Sequence, residues 1–300
     1  MLGALTAVVA PAFLIIGVGI VVGRAISTDL VAVNRLNLWA ATPALIFHSL
    51  STSDSLGGLG RVVLGYALFL AVMGLLAWLT SGRFSGQRQR NYVGLSLFVN
   101  SGNMMLPISL FALGTAGLDR ALPLMVVTLM FQVITGPMVF SLERSALRLG
   151  ERLFTMAPVL GAGLLGVLLK AFDTTVPIGI ARGVETLGSA AIPLVLLTLG
   201  LQISKSGFAV PRANDWSVVG MRLVIGPIVG YATALVVGAS GVDLAVLTLI
   251  AAMPPAVINY MFALEYGSNP DEVARTIALA TGVSVLTLSV VVSLVAQPIG

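Results

Sequence analysis

The sequence predicts an all-α integral membrane protein of about ten transmembrane helices, and three observations carry that prediction. Of the 300 residues, 57% are hydrophobic and 9% are charged. A soluble domain carries about a quarter charged residues, so this chain cannot cover itself with a water-facing surface. Its apolar residues also fall into runs close to the roughly 20 that cross a bilayer as a helix. Finally, two of those runs break in the middle and in the same style. One reads Asn100-Ser-Gly-Asn-Met-Met-Leu-Pro107, the other Ala251-Ala-Met-Pro-Pro-Ala-Val-Ile-Asn259. Gly, Asn and Pro inside an apolar run free backbone groups that lipid cannot hydrogen-bond. Such breaks persist only where they are buried in protein or line a cavity.

Taken in order, the expected spans are 4–23, 31–50, 61–80, 92–114 and 122–142, then 153–172, 183–203, 216–238, 244–266 and 273–296. The first begins without a basic segment ahead of it, so it reads as a span rather than a cleaved signal. A short charged connection at 146–152 separates an N-terminal five-helix unit, 1–145, from a C-terminal one, 153–300. Lys and Arg gather in the loops after odd-numbered spans, at Arg24, Arg83, Arg88, Arg90, Arg144, Arg148, Arg152, Lys205, Arg212 and Arg275. The opposite side has Arg61, Arg120, Lys170 and Arg182. This bias places the odd loops in the cytoplasm and both termini outside the cell membrane. Arg35 and Arg222 fall just inside spans, where a long side chain can snorkel to the interface.

An odd number of spans per half turns the second half upside down relative to the first. Two inverted repeats, each with one broken span, form the arrangement on which secondary transporters build a midplane binding site. Pro43 and Pro193 occupy matching places in the two halves, as do Phe111-Ala-Leu and Phe262-Ala-Leu. Pro107 and Pro255 suit the first turn of a half-helix, where a proline wastes no N–H. Each half-helix then presents free N–H groups and about half a positive charge at its start. If the two broken spans cross, an anion can be bound between them without a buried Lys or Arg. The candidate substrate-binding residues are therefore Asn100, Ser101, Asn103 and Pro107 on one arm, and Pro254, Pro255 and Asn259 on the other. Gln132 in the fifth span joins them. Amides serve either purpose here, orienting a carboxylate or bonding the freed carbonyls. Met104 and Met105 read as packing.

Other chemistries find little footing. His48 is the only histidine and there is no cysteine, so no metal site or cofactor is expected. His48 reads as structural, with a proton relay as the lesser reading, and Gln202 is, like Gln132, a weaker candidate than the groups at the breaks. Asp54, Glu185, Glu265, Asp271 and Glu272 fall near span ends, and no acidic residue sits centrally in a span, against an exchanger built on a buried carboxylate pair. The run Gly161-Ala-Gly-Leu-Leu-Gly166 spells a dinucleotide fingerprint, but inside a span it signals close helix packing. No nucleophile elbow or phosphate-binding loop is present, so no enzymatic activity is expected. The formal charge of +4 lies in short loops, where topology rather than nucleic acid accounts for it.

At Ser101–Gly114 (SGNMMLPISLFALG) and Ala251–Gly267 (AAMPPAVINYMFALEYG), the chain resembles the auxin efflux carrier family, whose bacterial members include malate and malonate permeases. The resemblance spans nearly the full length. It implies the panel and core domains of sodium/proton antiporters and bile-acid symporters, with the fourth and ninth helices crossing in an X. Asn103 and Pro107 would lie on one arm, and Pro254, Pro255 and Asn259 on the other. The substrate implied is a small organic anion such as a carboxylate, and a homodimer in the lipid bilayer is implied with it. Met104, Met105 and Leu106 replace small residues of the family pattern. The long insert of plant members between the halves is missing. The coupling ion, proton or sodium, stays open. A sodium-coupled symporter and a non-transporting sensor on the same scaffold are the alternatives.

Overall fold

In the computed structural model, residues 2–52, 58–141, 149–206 and 210–295 are described, and they form helices without a strand. The elements are α1 (Leu2–Ala25), α2 (Leu30–Thr52), α3 (Leu59–Ser81), α4 (Gly86–Leu97), α5 (Ser101–Phe140) and α6 (Leu149–Ala171). They continue with α7 (Ile178–Ser189), α8 (Ala191–Ser206), α9 (Ala213–Val236), α10 (Gly241–Ala252), α11 (Ile258–Glu265) and α12 (Pro270–Val295). Among the described residues seven stretches are long and apolar enough to cross a membrane: α1, α2, α3, α5, Ile178–Ser204, α9 and α12. Residues 146–148 of the charged connection lie outside those described, as does Asp54.

Local chemistry sets the helix boundaries. The Asp29 carboxylate accepts from the N–H groups of Val31 and Ala32 and so starts α2, as a capping residue does. The spans expected at 92–114 and 244–266 are each divided, into α4 with the first part of α5, and into α10 with α11. Within α5 the direction changes at Gly114, whose φ of 67° and ψ of −158° suit a residue without Cβ. The fourth and fifth expected spans therefore meet at one residue rather than across a loop.

The helices gather into two compact units, each drawing on both halves of the sequence. One comprises residues 12–58 and 148–205. In it α2 packs along α6 and α7, with Gly166 of α6 set against Phe47 and Leu50. There α1 and α8 also cross backbone to backbone. A Cβ on Gly200 would overlap the Ile16 carbonyl and one on Gly19 would overlap the Leu197 carbonyl. Small residues permit this approach where lipid offers no hydrophobic drive for association. Gly200→Val is expected to lower stability by about 1–3 kcal/mol, the usual cost of overpacking. Gly17→Ala, with open space around it, serves as control, and equal thermal unfolding of the two variants would contradict this packing.

The other unit comprises residues 1–11, 59–147 and 206–300. It holds both broken spans. Here α9 packs on α10 and α3, and α5 packs on α10. At the start of α9 the Asp215 carboxylate accepts from Arg275 Nε (2.8 Å), Thr276 Oγ1 (2.6 Å) and the Arg212 N–H (2.7 Å), tying α9 to α12.

Candidate functional site

The chain leaves α4 at Phe98, with φ −90° and ψ 106°, and leaves α10 at Met253, with φ −66° and ψ 144°. Both are extended conformations. The two unwound segments run antiparallel and bond each other: the Asn100 N–H donates to the Pro254 carbonyl at 2.9 Å, and the Ala256 N–H to the Phe98 carbonyl at 2.8 Å. Val99 and Pro255 face each other between those bonds. The expected crossing of the two breaks is thus a short β-type contact.

That contact corrects one expectation. Pro255 is not in the first turn of α11, which begins at Ile258. It stands opposite Val99, where the flanking residues supply both hydrogen bonds and a missing N–H costs nothing. Pro107 does lie in the first turn of the regular helical part of α5. Ahead of it, Ser101–Met105 form a single wide π-type turn, opened by the Asn100 carboxamide oxygen accepting from the Asn103 N–H at 3.1 Å.

Seven of the eight candidate residues lie at or directly beside this crossing, Pro107 lies one turn further along α5, and their surroundings differ. Gln132 is buried and donates through Nε2 to the Val99 carbonyl at 2.8 Å. Asn259 is fully buried and donates through Nδ2 to the carbonyls of Ala256 (2.8 Å) and Phe98 (3.3 Å). Both amides bond freed backbone, the second of the two purposes open to them. Ser101, Pro107, Pro254 and Pro255 are buried, whereas Gly102 and Asn103 at the start of α5 are partly exposed. The Nδ2 of Asn100 and the Oδ1 of Asn259 are buried and have no hydrogen-bond partner among the described residues. Met104 and Met105 are 1% and 0% exposed, so they pack. His48 and Gln202 belong to the other unit, where His48 lines a separate cavity with Lys170 and Asp173.

One feature went unread in the sequence and another was misread. An aromatic cluster abuts the crossing, with the Phe98 ring 6.0 Å from those of Phe131 and Phe262 and 6.3 Å from that of Phe140. Gly94 and Gly136 make room for it, since a Cβ at either would overlap Phe140 or Phe262. The second is Arg222. It does not snorkel. Its side chain is fully buried in the middle of α9 and points at the ends of both half-helices that precede the breaks. Nε donates to the Met253 carbonyl at 2.9 Å, and Nη2 to those of Ala251 (2.7 Å) and Ile250 (3.4 Å). Nη1 reaches the Ser96 carbonyl of α4 at 3.3 Å. The only hint in sequence was its place two turns inside an apolar run, between Trp216 and Pro227.

The crossing is therefore electrostatically ordered. The negative ends of α4 and α10 face a guanidinium, and the sequence around the positive ends of α5 and α11 carries no acidic residue. Neither 92–112 nor 244–264 contains Asp or Glu.

The sequence matches the family described as membrane transport protein over residues 151–292. It is 28% identical over 270 residues to an uncharacterized transporter of Methanothermobacter thermautotrophicus, covering 87% of each chain. It is 24% identical to another from Methanocaldococcus jannaschii, covering 85% of this chain and 86% of that one. Over 102 residues it is 29% identical to auxin efflux carrier component 1 of Arabidopsis thaliana, covering 33% of this chain and 16% of the plant protein. The chain is thus similar to membrane transport proteins over its C-terminal half, and to transporters over most of its length. The family match takes in Arg222, α10 and the second break, while the first break lies outside it.

Proposed function

We propose that this transporter is a secondary carrier of a small organic anion, a carboxylate above all, held at the crossing and moved by alternating access. The observation that carries the reading is the start of α5. There a positive helix end, the partly exposed Asn103 and the unpartnered Nδ2 of Asn100 lie within four residues of one another, with no acidic side chain in residues 92–112 or 244–264 around the two breaks. Charge-assisted hydrogen bonds to a carboxylate contribute about 1.5–3 kcal/mol each, and dipoles with amides bind loosely enough to release. The reading keeps the two inverted five-helix repeats, the cell-membrane location, the outward termini and the homodimer as parts of one proposal.

The test is uptake of labelled mono- and dicarboxylates by proteoliposomes holding the purified protein. Asn103→Ala is expected to reduce uptake efficiency for the accepted anion about tenfold to a hundredfold, the equivalent of one charge-assisted bond, with unchanged thermal unfolding. Folded protein that moves no carboxylate, or uptake indifferent to both Asn100→Ala and Asn103→Ala, would sink the proposal.

A further inference from the structure

We infer that Arg222 is a built-in cation that fills the place of a coupling ion, so that this carrier works without sodium. In secondary transporters with broken helices, unwound carbonyls and the C-terminal ends of half-helices coordinate the driving cation. Here those groups are in use. Ile250, Ala251 and Met253 at the end of α10 and Ser96 near the end of α4 all give their carbonyls to one guanidinium. Arg222 is 0% exposed and, among the described residues, has no carboxylate within ion-pair distance. Its charge is answered by backbone dipoles rather than by a carboxylate, as a bound metal cation's can be. The Phe69 ring, 5.5 Å from the guanidinium carbon, closes one face. A guanidinium is planar, permanently charged and presents five donors in a fixed fork. It therefore satisfies four carbonyls from two helices while remaining covalently tethered, and a sodium ion entering the same carbonyls would have to displace it.

The proposal rests on the carrier reading, yet its first test needs no substrate. A ligand that binds the folded protein raises its unfolding temperature by mass action. Sodium chloride and choline chloride are expected to give the same unfolding temperature for the wild-type protein and, once an accepted anion is known, the same uptake. Arg222→Ala leaves the carbonyls facing an empty space. That variant is expected to unfold at lower temperature and to be restored in part by low-millimolar guanidinium chloride, which leaves the wild type unmoved. Sodium-dependent stabilisation or uptake in the wild type overturns the proposal, as does an alanine variant that no cation stabilises. Should the alanine variant yield no folded protein, Arg222→Lys and Arg222→Met decide. The lysine variant must be the more stable and remain indifferent to sodium, and parity between the two refutes a cationic role. Absence of carboxylate uptake would remove the anion reading and leave the cation result standing.

Discussion

Exchanging Arg222 for methionine is expected to destabilise the protein by about 3–5 kcal/mol, the range found when one member of a buried charge arrangement is removed. Methionine approximates the length and fills the space, so the loss isolates hydrogen bonding and charge from packing. Four carbonyls that now share one guanidinium would face an apolar side chain. No water is at hand in a bilayer interior to replace the donors. Lysine keeps the charge but has three donors and no planar fork, so its variant should fall between methionine and wild type. Denaturation of the detergent-purified proteins, followed by tryptophan fluorescence and by circular dichroism, gives the ranking. A methionine variant as stable as the wild type would mean that these carbonyls find other donors on relaxation.

The second large effect is expected at Phe262. Its ring is 2% exposed and lies 6.0 Å from Phe98, 5.7 Å from Phe140 and 6.4 Å from Tyr266. Removing a buried ring costs about 3–5 kcal/mol in soluble cores, through lost transfer energy and the cavity left behind. The transfer part shrinks in a membrane, because lipid tails are as apolar as the protein interior. The expected loss for Phe262→Ala is accordingly near the lower end, about 3 kcal/mol, and should be read in the same unfolding measurement. Phe262→Leu, which refills most of the volume, should recover more than half. If alanine and leucine behave alike, packing against Phe98 and Phe140 is not what holds α11 in place.

The breaks were legible in the sequence because they violate a simple rule. Asn, Gly and Pro do not belong in the middle of an apolar span unless the backbone there has a use, and Phe98–Asn100 and Met253–Val257 are where the helices unwind. The all-helical membrane class followed equally from charge content. What a single sequence could not supply was pairing. Whether Asn259 and Gln132 face a solute or a carbonyl depends on which loose carbonyl lies nearby, and the carbonyls of Val99 and Phe98 that they reach belong to residues more than 30 positions away. Arg222 was misread for the same reason. An arginine inside a span is free to snorkel unless helix ends stand beside it, and their position is a fact of tertiary structure. Pro255 shows a subtler limit: a proline tolerates both the first turn of a helix and a bridge position bonded on either side, and local chemistry does not choose between them.

The contact between the two unwound segments bears on how the protein is made. The Asn100 N–H and the Phe98 carbonyl find their main-chain partners in Pro254 and Ala256, and the Ser96 carbonyl finds its donor in Arg222. Those residues leave the ribosome more than 120 positions later. Until then the first broken span resides in the insertion machinery or the bilayer with its midpoint unsealed. The break in the N-terminal half is therefore expected to complete its bonding only once those C-terminal residues arrive. Final assembly of that half waits on the C-terminal one, which places the last step of biogenesis at the same few peptide groups on which transport is proposed to turn.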